Sequence, residues 1–248
     1  MVKLRILYQD EDLVAVDKPA GFQVHPPENS MHSISAATNC LAILSRQLGQ
    51  YLYPVHRLDR ATSGVLIFAL RSEIAAKFQE QIQQGVLKKT YYAVVRGWTA
   101  NEGVIDHALK AEDEPTPKPA ITHYQTLRNI ELDWAVGRYQ TSRYSLVEVV
   151  PETGRFHQIR RHFAHLSHPL IGDSVHGDGR HNRVFREKVG TDSLLLKAYS
   201  LSFTHPVTGE SLSVVSRWGG LWHRVFDLFG FCPYQSLNSK RSGRTIAP

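Results

Sequence analysis

Cysteine is scarce in this 248-residue chain, where Cys40 and Cys232 are the only two. Two cysteines cannot build a disulfide framework or a four-cysteine zinc site, and such usage fits a reducing compartment. Long apolar runs are missing as well. The longest, Val65 to Leu70, is far too short to span a bilayer as a helix. The opening MVKLRILYQDED meets acids before a signal-peptide core could form, so a cytoplasmic protein with no membrane partner is expected. Nucleotide-binding and metal motifs, HExxH among them, are not found, and no internal repeat is found.

What is present is an ordinary globular balance, 42% hydrophobic against 21% charged residues, which excludes disorder as the dominant state. Lys and Arg total 29 against 23 acids, a net charge of +6 with pI near 9.3. That excess leans toward a polyanionic partner such as nucleic acid, although many basic proteins bind none. Its location is more informative. Residues 151–190 hold six of the 13 histidines and seven Lys or Arg against four acids. The segment from Gln235 adds three basic residues and no acid. It has little apolar content and reads as a loose tail, 235–248, behind a single domain spanning 1–234.

The pattern predicts strands at Leu4–Tyr8 and Leu13–Val16, closed by Lys18-Pro19-Ala20-Gly21. A helix is expected from Ile34 to Leu48, with Ser33 as N-cap and Gly49 beyond its end. Ser63–Leu70 reads as a buried strand, Ser72–Gln83 as a helix, and Leu87–Val95 as a strand. Glu112–Pro119 is a surface loop. Ala120–Ile130 and Arg143–Val150 are long strands, and His157–Leu166 is a helix. Leu194–Phe203 and Leu212–Val215 are strands, and Trp218–Phe229 is a last helix. Strands that repeatedly follow one another without an intervening helix argue for an α+β fold around a mostly antiparallel sheet, and against a doubly wound parallel one.

Three segments carry candidate chemistry. In HRLDRATSG, residues 56–64, one carboxylate lies between two arginines in a turn before an apolar strand. The bland reading is a surface ion pair. The functional reading is that the arginines favour the ionised form of Asp59, which then serves as nucleophile or general base. In KKTYYAVV, adjacent tyrosines of a strand point to opposite faces, so one joins the core while the other can face a cleft. A tyrosine beside lysines can also stack on a base while the cations meet phosphate. In GRFHQIRRHFAHLSHP, residues 154–169, His162, His165 and His168 have ligand-like spacing, which keeps a metal-dependent hydrolase open. Satisfied histidines on a polar helix face, or donors to the phosphates of folded RNA, are the other readings.

Together with ILYQDEDLVAVDKPAG near the start and KKTYYAVVRG at 88–97, HRLDRATSG and TGRFHQIRRHFAHLSHPLIGD at 153–173 resemble the RluA-type pseudouridine synthases, in order and over nearly the whole chain. The resemblance implies an α+β, mostly antiparallel mixed sheet with flanking helices and a central catalytic cleft. It implies an isomerase that detaches uracil from C1′, rotates it and rejoins it through C5, with no cofactor and no metal. By resemblance Asp59 is the catalytic carboxylate, Arg160 its ion-pair partner and Tyr91 the residue that stacks on uracil. Arg57 is implied to fill the stack vacated by the flipped uridine, and Ile159 lies beside the base. Arg161, His157 and Lys89 are implied RNA contacts. VGRYQTSRYSLVEV, RRHFAHLSHPLIGDSVHGDGRHNR and the short chain without an additional N-terminal RNA-binding domain favour members that act on tRNA at position 65. No obligatory protein partner is expected. Another tRNA or rRNA uridine, or a non-catalytic RNA-binding role, stays open. Lys197 stands where relatives commonly have histidine.

Overall fold

The computed structural model describes residues 2–24, 36–111, 115–233 and 244–246. The chain forms two compact units, one of Met1–Lys89, Ala198–Arg217 and Ser242–Pro248, the other of Thr90–Lys197 and Trp218–Arg241.

In the first unit β1 (Arg5–Gln9) pairs antiparallel with β2 (Leu13–Lys18), and β2 pairs antiparallel with β4 (Ser63–Ala69). The two-residue β3 (Tyr53–Pro54) lies on the far part of β4. β9 (Leu196–Thr204), whose first two residues belong to the second unit, neighbours β4 and pairs antiparallel with β10 (Ser211–Val215). Leu13, Ala15, Val65, Ile67 and Ala69 share one face, where Ile74 and Phe78 of α2 (Ser72–Gln83) join them in the core. Val14, Val16, Leu66 and Phe68 alternate to the other face and are buried too. Burial on both faces is why the β4 sequence is a continuous apolar run rather than an alternating one.

In the second unit β5 (Lys88–Arg96), whose first two residues belong to the first unit, pairs antiparallel with β8 (Ser142–Pro151). β8 pairs with β7 (Ile121–Leu132), and β7 with β6 (Glu102–Asp106), both antiparallel. Helices α3 (Gln158–His165) and α5 (Gly220–Phe229) pack against β7. A further helix, α4 (Gly179–Val189), is capped by the Asp178 side chain at its start and by Gly190 in the left-handed region at its end. The α+β, mostly antiparallel expectation is therefore met.

Details depart from the sequence reading. The first helix, α1, spans Cys40–Leu48, and its cap is Asn39, whose Oδ1 accepts from the Ala42 amide at 3.1 Å. Residues 36–38 form a separate 3-10 turn, and the expected cap Ser33 and start Ile34 lie outside the described residues. Gly49 does end the helix, at φ 71°. Helix α4 and strands β3 and β6 were not anticipated. Of the segment expected to be a tail, Arg244–Ile246 form a strand, β11, parallel to β10, and the remainder lies outside the described residues.

Candidate active site

The segment that carries Asp59 is a short turn between β3 and β4 in the first unit. Leu58 and Thr62 are buried, Asp59 is half-buried, and Arg57 and Arg60 are exposed. The Thr62 amide donates to the Asp59 carbonyl at 3.1 Å, which closes the turn. A second clamp comes from the end of β2. Lys18 is fully buried, and its Nζ donates to the carbonyls of Pro19 (3.1 Å), Phe22 (2.6 Å) and Arg60 (3.1 Å). The Gly21 amide also donates to the Arg60 carbonyl, at 2.8 Å, and Arg60 Nε returns a bond to the Gly21 carbonyl at 3.1 Å.

Two further contacts fix the frame. His56 Nε2 accepts from the Ile67 amide of β4 at 3.0 Å. Gly64, at φ 122°, lies so close to β9 that a Cβ would stand 2.0 Å from the Ala198 carbonyl oxygen, so only glycine fits.

The electrostatics follow from this burial. Lys18 is pushed down to about 8, chiefly by burial; Cys40 and the Asp59 charge pull it back up and Arg60 pushes it down. His56 is pushed down to about 3 by burial and by the Lys89 charge, which fits an imidazole that accepts a backbone hydrogen bond. Lys89 is itself lowered by burial.

The second unit holds the other sequence-selected residues. Tyr92 is buried, donates its hydroxyl to Glu148 at 3.1 Å and meets Trp218 edge-on at 5.0 Å. Tyr91, on the opposite face of β5, is half-buried, as the alternation required. The TGRFHQ turn is built by one side chain. Gln158 is buried, and its Oε1 accepts from Thr153 Oγ1 (2.7 Å) and the Arg155 amide (3.0 Å). Its Nε2 donates to the Ile121 carbonyl (2.9 Å) and to Thr122 Oγ1 (3.0 Å), so every polar site of the amide is used.

Helix α3 then presents Ile159 and Arg160 buried, with Arg161 half-exposed. Arg160 Nε and Nη2 donate to the two oxygens of Asp173, each at 2.7 Å, a bidentate pair whose side chains are 5% and 0% exposed. Burial alone would raise the Asp173 pKa. The bonds from Arg160 and from the His176 and Val175 amides outweigh it and hold the carboxyl below its ordinary value. Lys197, at the start of β9, is buried.

The three histidines with ligand-like spacing are used otherwise. His162 is buried, takes the Thr122 hydroxyl on Nδ1 (2.9 Å) and donates from Nε2 to the His107 carbonyl (3.0 Å). His165 stacks on the His107 ring at 3.8 Å, and His168 Nδ1 donates to the Arg96 carbonyl at 2.8 Å. Among the described residues, the grouping that has metal-like proximity is Asp10, Asp12 and His205. There Asp10 accepts from the amides of Asp12 and Leu13, the Tyr8 hydroxyl and His205 Nε2, which is the bonding of a structural turn.

Thus Arg57, Asp59 and Lys89 belong to the first unit, and Tyr91, His157, Ile159, Arg160 and Arg161 to the second. Sequence reasoning did not single out Lys18, His56, Gln158 or Asp173. Lys18 and His56 were legible only as parts of longer strings, and Asp173 as the acid closing the HPLIGD run.

A family model described as RNA pseudouridylate synthase matches residues 12–165. The chain belongs to the RNA pseudouridylate synthase family. A curated relative from Yersinia pestis named tRNA pseudouridine synthase C is 44% identical over 238 residues, covering 92% of this chain and 91% of that one. A protein of the same name from Vibrio cholerae is 43% identical, covering 92% and 96%. The solved structure of Human RNA Pseudouridylate Synthase Domain Containing 4 aligns with a TM-score of 0.69 at 24% identity, over 91% of this chain and 93% of that one. Human RNA Pseudouridylate Synthase Domain Containing 1 aligns at 0.66 and 23%, over 87% and 84%. At those identities the human structures speak for the fold alone. No helix among the described residues is long and apolar enough to cross a membrane.

Proposed function

We propose that this protein isomerises uridine to pseudouridine in tRNA, with position 65 as the target. The observation that carries the reading is the family match: the matched stretch contains Asp59, Tyr91 and Arg160 together, and relatives named for tRNA pseudouridine formation run over 92% of the chain. The bottom-up chemistry agrees. In the reaction the bond from uracil N1 to C1′ breaks, a bond from C5 to C1′ forms, C5 loses a proton and N1 gains one. The balance involves no oxidant and no third substrate.

Asp59 is the proposed catalytic carboxylate, acting by attack on C1′ or by proton abstraction. Its support is a turn whose backbone is clamped by Lys18, Gly21 and Thr62, the rigidity a reacting group needs. Arg160 is the proposed cation of the reaction centre, held by Asp173 in one orientation. Tyr91 is the proposed base-stacking phenol and Ile159 its apolar companion. Arg57, Lys89, His157 and Arg161 are proposed RNA contacts, and Arg57 is exposed as a residue entering a vacated stack must be.

The test is tritium release from tRNA labelled at uracil C5. Tritium release by wild type and none by Asp59→Asn, with RNA affinity retained, is the expected result. An Asn variant that turns over at the wild-type rate overturns the assignment of Asp59. Mapping pseudouridines in RNA from a strain lacking the protein tests the position: loss at tRNA position 65 is expected, and loss elsewhere overturns that choice.

A further inference from the structure

Nine of the ten phenylalanines are buried or half-buried, and Phe156 alone is exposed, with 56% of its surface open. A single exposed apolar residue ordinarily needs no account. Phe156 differs because the structure holds its ring in place. It occupies the apex of a turn closed by the Gln158 amide on the Arg155 carbonyl at 3.0 Å, and the Gln158 side chain braces that turn from inside. The next residue, His157, sits in the left-handed region at φ 53°, uncommon for a side chain other than glycine.

That backbone lays the Phe156 ring over the His157 imidazole, centroids 3.8 Å apart and planes 20° from parallel. His157 is in turn tied to His176 by a 3.0 Å hydrogen bond, and the His176 amide donates to Asp173, the partner of Arg160. An aromatic plane therefore rests on an imidazole that is bonded to the His176 ring, and His176 is in turn fixed by its backbone amide to the carboxylate that orients Arg160. Arg155 beside it is exposed and Arg161 half-exposed, so cations flank the ring.

We infer that Phe156 is a stacking platform for an unpaired nucleobase of the substrate RNA, a base flanking the uridine that is extruded. Extruding a uridine strips its neighbours of stacking, and an aromatic face replaces what they lose. A ring already immobilised loses little further freedom on binding. The inference rests on the proposed isomerisation of tRNA uridine and adds a residue that engages a second base.

The experiment uses a tRNA transcript that the wild-type protein isomerises, with affinity measured in the Asp59→Asn background to prevent turnover. Adding Phe156→Ala is expected to raise Kd roughly 5- to 140-fold, the span measured for removing one aromatic base stack. Phe156→Trp is expected to bind within about threefold of the parent, a rescue expected of a ring that stacks. Phe156→Leu, apolar but without a π face, is expected to bind as weakly as the alanine variant. 2-Aminopurine beside the target uridine is expected to be quenched in the complex and to recover with Phe156→Ala. Because the ring is exposed, the unfolding midpoint should not move, which separates stacking from a folding defect.

Equal Kd for Phe156→Ala and its parent, or full binding by Phe156→Leu, overturns the inference while isomerisation by wild type stands. Loss of self-association instead of RNA affinity would assign the ring to a second copy of the chain and overturns it too. A wild-type protein that isomerises no tRNA overturns the underlying function as well.

Discussion

Asp173→Asn isolates the worth of a buried ion pair. The substitution keeps the size and shape of the side chain and removes the charge facing Arg160. Both members are out of water, at 5% and 0% exposure, so solvent cannot screen or replace the lost interaction. Two charge-assisted bonds of 2.7 Å are affected, and the nitrogen of the introduced amide must face a guanidinium donor. Removing one partner of a buried bidentate pair costs about 3–5 kcal/mol, here through the loss of the two charge-assisted bonds between Arg160 and Asp173. For a chain of this size that is a fall of roughly 6–20 °C in Tm.

The readout is convenient, since all four tryptophans, Trp98, Trp134, Trp218 and Trp222, lie in the second unit with the pair. Urea unfolding followed by tryptophan fluorescence therefore reports the right part of the molecule. The pH dependence has a definite sign. Asp173 is held below its ordinary carboxyl value of 3.8, so its contribution is present above that value and is lost as pH falls through the lower folded value. Wild type and variant should differ fully at pH 7 and converge below about pH 4. A difference under about 1 kcal/mol at pH 7, or one that persists undiminished at pH 3, would refute the reasoning.

Two more predictions concern the turn that carries Asp59. Lys18→Met removes the donor shared by three carbonyls and is expected to lower the single-turnover rate about 10- to 100-fold with RNA affinity unchanged, since small misplacement of a reacting group is costly. Wild type should also lose stability as pH falls from 10.5 toward about 8, where the unfolded chain takes up a proton that folded Lys18 does not yet hold; the Met variant should not. Stopped RNA binding with normal rate in bound complexes would contradict the positioning role. His56 refuses a proton down to about 3, whereas an unfolded histidine takes one near 6.5, so stability should fall as pH drops below 6.5. His56→Gln, which keeps an acceptor for the Ile67 amide, should flatten that fall; hydrogen exchange at the Ile67 amide measures it, and an unchanged slope would exclude His56 as its source.

The parts of the fold that sequence made legible are those where local signals agree. Gly49 closes α1 in the left-handed region, Pro151 ends β8, and the run before Leu70 is β4. Helix α4 escaped because GRHNRVFREKV has Phe185 as its one buried residue and so shows no apolar stripe. Its cap residues Asp178 and Gly190 were the available signal. Asn39, the cap of α1, was missed for a related reason: several residues in this stretch are good caps by type, and only the fold shows that the Asn39 side chain meets the Ala42 amide.

The candidate site divides along the same physical line. Residues proposed to meet RNA were visible because runs of charged and aromatic groups stand out against a globular background, whether in the turn of Arg57, on β5 or on α3. The residues that hold them were not, because their meaning lies in partners far along the chain. Lys18 reaches Arg60 across 42 positions, Gln158 reaches Ile121 across 37, and neither distance leaves a trace in local sequence. Each is a polar group buried in the frame, and a buried polar group is costly unless every bond is made. Lys18 ties the Arg60 carbonyl of the Asp59 turn to the Pro19 and Phe22 carbonyls, and Gln158 ties the Arg155 amide of the Phe156 turn to Thr153 and to Ile121 and Thr122 of β7. The cost of burying them is thus offset by fixing those two turns, and loosening either anchor should reduce catalysis before it reduces folding.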